Sequence, residues 1–122
     1  MPDLENIKQK IKEFNIERDW DQYHNPKDVI LALVSEVGEL AECYRWLNED
    51  EIANVYSDPI KKKKIEEEIA DIMMNLIILS YKSNIDIIKS IEEKLEMNKK
   101  KYPVEKSKGI HSNPIMGIKG RE

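Results

Sequence analysis

Apolar residues recur along this chain at helical spacing, and nowhere do they alternate as a half-buried strand would require. Leu4, Ile7, Ile11 and Phe14 fall on one face of a first helix, with Asp3 placed to cap it. The period breaks from Asn15 to Asn25, a stretch carrying Trp20, Tyr23 and His24 that reads as a structured connector. Asn25-Pro26 then supplies a cap followed by proline at the first helical position. The second helix is expected from about Pro26 to Leu47, with Val29, Ile30, Leu33, Val37, Leu40 and Tyr44 as core positions. Gly38 interrupts good helix formers there, either for a close approach or at a tolerated cost.

A polar link from Asn48 to Ser57 leaves room for a short helical turn. Asp58-Pro59 repeats the cap-and-proline signal and opens a third helix reaching about Lys82. Its first half is highly charged (KKKKIEEE), while its second half (IADIMMNLIILSY) is apolar on more than one face. That pattern suits a central helix or one covered by a partner chain. Asn84 and Asp86 separate it from a fourth helix, about Asp86 to Lys101, with Ile87, Ile88, Ile91, Leu95 and Met97 turned inward. Tyr102-Pro103 ends that helix. The spacing therefore predicts an all-α, four-helix bundle over residues 1–103. Residues 104–122, with three glycines and Pro114, read as a flexible tail. The wide apolar face of the third helix predicts a homo-oligomer, dimer or larger.

The composition narrows the class. With 122 residues, 40% of them hydrophobic, the chain suits one domain. Its 36% charged content, both signs interspersed, suits a helical cytoplasmic protein. A net charge of -4 gives no reason to expect a nucleic-acid polymer as partner. A free nucleotide carried with a divalent cation is a different matter, because the cation reverses the local sign. The single cysteine, Cys43, forms no intrachain disulfide and favours a reducing compartment. The opening MPDLENIKQK lacks the pattern of a signal peptide, and the longest apolar run, IMMNLIIL, is too short to span a bilayer.

The candidate chemistry lies in two acidic pairs. Glu36 and Glu39 in LVSEVGELAE, and Glu68 and Asp71 in IEEEIADIMMNL, are each three residues apart and so share a helix face. Four carboxylates aimed into one space repel unless cations neutralise them, which points to a hard metal such as Mg²⁺, with Mn²⁺ able to substitute. Among 24 acidic residues some such pairs arise by chance, and Glu66-Glu67-Glu68 has members that must face water. The context favours a site. Glu36 and Glu39 sit among Leu33, Val34, Val37, Leu40 and Ala41, and Asp71 among Ile69, Ala70, Ile72, Met73 and Met74, with no lysine in either set.

The helix wheel extends this reading. Trp46 follows Glu39 by seven residues and Asn75 follows Asp71 by four, so an aromatic ring and an amide border the acids. Ordinary core packing of Trp46 explains its position equally well. Lys94 and Asn98, with Lys101 one turn on, offer cations and a donor to phosphate oxygens, although a solvated lysine face is the stronger reading of spacing alone. Di-iron carboxylate chemistry is excluded because neither histidine follows a glutamate by three. With only four glycines there is no glycine-rich phosphate loop, and no serine elbow is present.

These same segments resemble the all-α nucleoside triphosphate pyrophosphohydrolases of the MazG-like superfamily, and within it the dCTP pyrophosphatase branch. The matching text is RDWDQYHNPKDVILALVSEVGELAECYRWLNEDE, EEEIADIMMNLIIL and KLEMNKKKYPVEKSKG, spanning about Arg18 to Gly109. The resemblance implies Mg²⁺ held by Glu36, Glu39, Glu68 and Asp71; the chemistry of such a site makes either Glu36 or Glu39 the candidate catalytic base. It implies a pyrimidine pocket including Trp20, His24 and Trp46, triphosphate contacts from Lys94 and Asn98, and dimers that pair into tetramers. The implied reaction splits a nucleoside triphosphate into monophosphate and pyrophosphate. Two departures stand out. Asn75 occupies the place of a tyrosine in that branch, and Lys99 and Lys101 replace arginines, which keeps charge but loses the bidentate fork.

Overall fold

The structure, a computed structural model, describes residues 3–109. Among them there are six helices and no strand: α1 (Leu4–Glu17), α2 (Pro26–Glu42), α3 (Glu49–Asn54), α4 (Pro59–Lys82), α5 (Ile87–Lys101) and α6 (Val104–Ser107). Two 3₁₀ turns, Asp21–Tyr23 and Val55–Ser57, join α1 to α2 and α3 to α4. The helix starts are set by local chemistry. The side chains of Asp3, Asn25, Asp58 and Asp86 each accept a backbone N–H from the first turn they cap. Proline follows the cap directly in α2 and α4. Asn48 and Glu51 form a reciprocal capping box that makes α3 a defined helix within the polar link.

The helix ends are equally specific. After α1, Asp19 adopts a left-handed conformation (φ 56°). Its N–H bonds the Ile16 carbonyl at 3.0 Å and the Trp20 N–H bonds the Asn15 carbonyl at 2.9 Å, the pattern of a Schellman cap with aspartate in the place usually held by glycine. Asn84 (φ 55°) plays that part after α4, where the Ile85 N–H reaches the Ser80 carbonyl at 2.8 Å. α2 stops at Glu42, short of the expected Leu47. From Cys43 the backbone tightens into turns bonded three residues back, and the Tyr44 and Tyr56 hydroxyls, 2.8 Å apart, tie the segment to the turn before α4.

Packing divides the described chain after Ile85. In the first unit α4 is the spine: α2 runs along it, and α1 and the Val55–Ser57 turn rest against it. Ile11, Val29, Val55, Ile65, Ile77 and Ile78 are the buried aliphatics. The core expected on α2 is only partly realised, since Val29 is buried while Ile30 and Val37 are 44% and 48% exposed. Among the described residues, nothing covers the face on which those side chains stand. The second unit holds α5 and α6, and of the α5 residues expected to point inward Ile87 is half-buried, while Ile88, Ile91, Leu95 and Met97 are 48% to 61% exposed. Of the segment read as a tail, Val104–Ser107 forms one helical turn, and residues 110–122 lie outside the described residues. Among the described residues no helix is long and apolar enough to cross a membrane.

Candidate functional site

Because α2 lies along α4, the two acidic pairs meet. Glu36, Glu39 and Glu68 each bring a carboxylate oxygen within 4.8 Å of the others. Asp71, one turn beyond Glu68, stands outside this trio and lines the adjoining cavity together with Glu36. Glu68 is the most enclosed, at 3% exposure, whereas Glu36 is half-buried and Glu39 exposed. Lys64, one turn before Glu68, donates to its Oε1 at 2.8 Å. Oε2 of Glu68 and Oε2 of Glu36 are buried, and no donor outside the carboxylate cluster reaches either.

The acids perturb one another as their crowding requires. The Glu36 carboxyl is pushed up to about 7, first by sharing a hydrogen bond with Glu68, then by loss of solvent, then by the charges of Glu39, Glu68 and Asp71. Glu68 is held below the usual carboxylate range, first by Lys64 and then by the proton it shares with Glu36. Near neutrality the cluster thus keeps a proton that an isolated glutamate would have lost. Buried carboxylate oxygens without partners are rare and costly, and an all-oxygen set of this kind fits a hard divalent cation such as Mg²⁺. Glu36, Glu39 and Glu68 offer it the first ligands, with Asp71 adjacent.

Beside the acids opens a cavity of about 620 Å³ lined by residues of α1, the connector, α2 and α4. It brings Trp20, His24 and Asn75 together with Glu36 and Asp71, over a floor that includes Phe14, Met74 and Ile78. Trp20 is aimed by the α1 Schellman cap, whose apolar contact it makes edge-on with Phe14 at 5.8 Å between ring centroids. The connector is pinned from α4, where Lys82 donates to the Asp21 carbonyl and carboxylate, both at 2.8 Å. The Tyr81 hydroxyl receives Asn15 at 3.2 Å. The Nδ1 of His24 is buried without a partner, leaving it available to a polar ligand edge.

Trp46 does not continue the face of Glu39, because α2 has ended four residues earlier; its ring is 76% exposed, with the Arg45 guanidinium 4.6 Å from its centroid. Lys94, Asn98 and Lys101 lie on α5 in the second unit; Lys94 and Lys101 are exposed and Asn98 is half-buried. Cys43 is a free thiol whose Sγ lies 3.5 Å from the Glu39 carbonyl. Sequence reasoning overlooked one ion-pair partner and three residues of the cavity wall. Lys64 was hidden in a lysine run, although its four-residue spacing to Glu68 is a helical ion-pair signal. Phe14, Ile7 and Ile11 were legible as an apolar face, but not as a cavity wall.

The fold and site define a helical protein whose two packed helices bring three carboxylates together beside an aromatic-lined cavity, a set that could hold a cation. The chain belongs to the MazG-like family, whose model matches residues 31–113. It is 37% identical over 108 residues to rat dCTP pyrophosphatase 1, covering 88% of this chain and 64% of that one. With the human dCTP pyrophosphatase 1 it shares 36% identity over 102 residues, 84% of this chain and 60% of the relative. The chain thus spans less than two thirds of the length of these relatives. A crystal structure of a pyrophosphatase from Archaeoglobus fulgidus superposes with a TM-score of 0.76 at 35% identity, over 82% of this chain and 92% of that one.

Proposed function

We propose that this protein is a Mg²⁺-dependent pyrophosphohydrolase of the nucleotide pool, acting in the cytoplasm on dCTP or a modified dCTP and releasing the monophosphate and pyrophosphate. One observation carries the reading: three glutamates from two packed helices converge, Glu36 and Glu68 with buried oxygens that no outside donor reaches, and Glu36 lines a cavity shared with Trp20, His24 and Asn75. The similarity to dCTP pyrophosphatase 1 supports the substrate class.

Glu36, Glu39 and Glu68, with Asp71 beside them, would hold a divalent cation, which would supply positive charge against a triphosphate and a departing pyrophosphate. The chain's own groups do the rest. Trp20 and Phe14 offer faces and edges to a nucleobase. The Asn75 amide and His24 Nδ1 supply hydrogen bonds to the base edge. Glu36 or Glu39 takes the proton of the attacking water. Glu39 is the more open to solvent, while Glu36 is already tuned to exchange a proton near neutrality. The phosphate role of Lys94, Asn98 and Lys101 rests on the family resemblance alone.

A second reading within the same chemistry, hydrolysis of dUTP or of several triphosphates, is favoured by Asn75, which puts a small amide where the dCTP branch carries a tyrosine. The half-exposed aliphatics of α2, α4 and α5 support self-association as a dimer or tetramer. A panel of dCTP, 5-substituted dCTPs, dUTP and dTTP, followed by pyrophosphate release with Mg²⁺, with Mn²⁺ and with EDTA, tests all of this. Metal-dependent release from a pyrimidine triphosphate is expected. No release from any of them under saturating Mg²⁺ would reduce the chain to a helical binding module.

A further inference from the structure

The ammonium of Lys64 occupies a peculiar place. Its side chain is 55% exposed, yet its Nζ donates at 2.8 Å to a carboxylate whose side chain is 4% exposed. The Glu68 carboxylate is fixed by its burial on α4, while the lysine is a mobile arm reaching in from solvent. No other cation of the described residues bonds any member of the Glu36, Glu39 and Glu68 trio. The remaining lysines of the run are turned away: Lys62 pairs with Glu66 at 4.0 Å, and Lys61 and Lys63 make no ion pair.

We propose that Lys64 is a built-in counter-ion to the acidic cluster, which neutralises Glu68 while the site is empty and opposes the binding of a divalent cation there. This rests on the metal-site reading above and concerns how tightly the site holds its ion. Without any cation, a buried Glu68 beside Glu36 and Glu39 carries repulsion and desolvation together. The ammonium relieves both, and the same positive charge then stands within a few ångströms of an arriving Mg²⁺. Lys64 is therefore a positioning residue whose two effects have opposite signs: it stabilises the empty protein and weakens metal binding. Being half exposed, its arm can also swing to water, so the penalty is modest and the site remains fillable at the Mg²⁺ level it is set for.

The test compares the full chain with Lys64→Met, which keeps the aliphatic stem, and with Lys64→Arg, which keeps the charge. Lys61→Met removes one positive charge from the same helix without touching the acids. Mg²⁺ affinity is measured by calorimetry, and melting temperature in EDTA and in saturating Mg²⁺. Lys64→Met is expected to bind Mg²⁺ about tenfold more tightly, the size expected for a divalent and a monovalent cation roughly 5 Å apart in a water-like dielectric. It should melt lower than the parent in EDTA and gain more from Mg²⁺. Lys64→Arg and Lys61→Met should match the parent. Equal or weaker Mg²⁺ binding by Lys64→Met, equal destabilisation with and without Mg²⁺, or the same tightening in Lys61→Met would each overturn the counter-ion role while leaving the metal site standing. If the parent itself binds no Mg²⁺, the site reading fails, and this inference with it.

Discussion

Raising the pH through neutrality should tighten metal binding through one identifiable proton. In the metal-free cluster Glu36 holds its proton up to about 7, because Glu68 shares a hydrogen bond with it and the neighbouring charges add to that. A cation that takes the Glu36 oxygen must expel this proton, so apparent affinity falls below that pKa and levels off above it. For a single carboxyl titrating at about 7, Mg²⁺ should bind roughly tenfold more weakly at about pH 6 than at about pH 8, with close to one proton released at the lower pH and about a tenth of one at the higher. Calorimetric titration of Mg²⁺ in buffers of differing ionisation enthalpy counts that proton directly. The Glu36→Gln variant should bind more weakly but lose the pH dependence. Stability carries the matching sign. A raised carboxyl stabilises the folded metal-free chain at acid pH, and that contribution is lost as pH rises from about 4.5 toward about 7. Glu68, lowered by Lys64, works oppositely, and its contribution is lost as pH falls below the ordinary glutamate range. Affinity that is flat from pH 6 to 8, with heats independent of buffer, would refute the shared-proton geometry.

Other outcomes follow from neighbouring parts of the structure. Glu39→Gln and Asp71→Asn should abolish pyrophosphate release under saturating Mg²⁺ while circular dichroism stays helical; retention of most activity would remove those residues from the site. Lys82→Met cuts the double tether to Asp21 and frees the connector bearing Trp20 and His24, so KM should rise several-fold with kcat little changed. Ile65→Ala deletes a side chain that is 3% exposed on the central helix, and urea denaturation should show a loss of about 2–4 kcal/mol. Trp46→Ala, by contrast, removes a ring that is 76% exposed and outside the cavity; KM for the nucleotide should be unchanged in the isolated chain, and a large rise would return Trp46 to the base pocket.

Where the sequence was informative, local chemistry was the reason. Asp3, Asn25-Pro26, Asp58-Pro59 and Asp86 mark helix starts that the structure keeps, since a cap needs only its own next turn. The meeting of Glu36, Glu39 and Glu68 follows once α2 lies along α4, because three-residue spacing keeps each acidic pair on one helix face, although aliphatic neighbours such as Val34, Val37 and Ile69 stay exposed. The end of α2 was not legible: no glycine or proline stands between Glu42 and Leu47, and the break is held by Tyr44 reaching Tyr56, twelve residues away. Asn48 and Glu51 carry a capping-box signal that a reading centred on apolar period passes over. The cavity wall given by Ile7, Ile11 and Phe14 needs α1 to be docked before it exists. Lys64 illustrates a further difficulty, for in a run of four lysines only the fold tells which one faces inward.

Asp19 touches nothing in the cavity, yet the left-handed turn it adopts sets the direction in which the indole of Trp20 leaves α1. The wall of the pocket is in this way steered from outside it, by a backbone dihedral and not by a contact. A glycine there would hold the same turn with less strain, whereas a β-branched residue, ill suited to a left-handed backbone, would force the chain to leave the helix along another path. The cavity wall can thus shift through position 19 without any change to a residue that lines it.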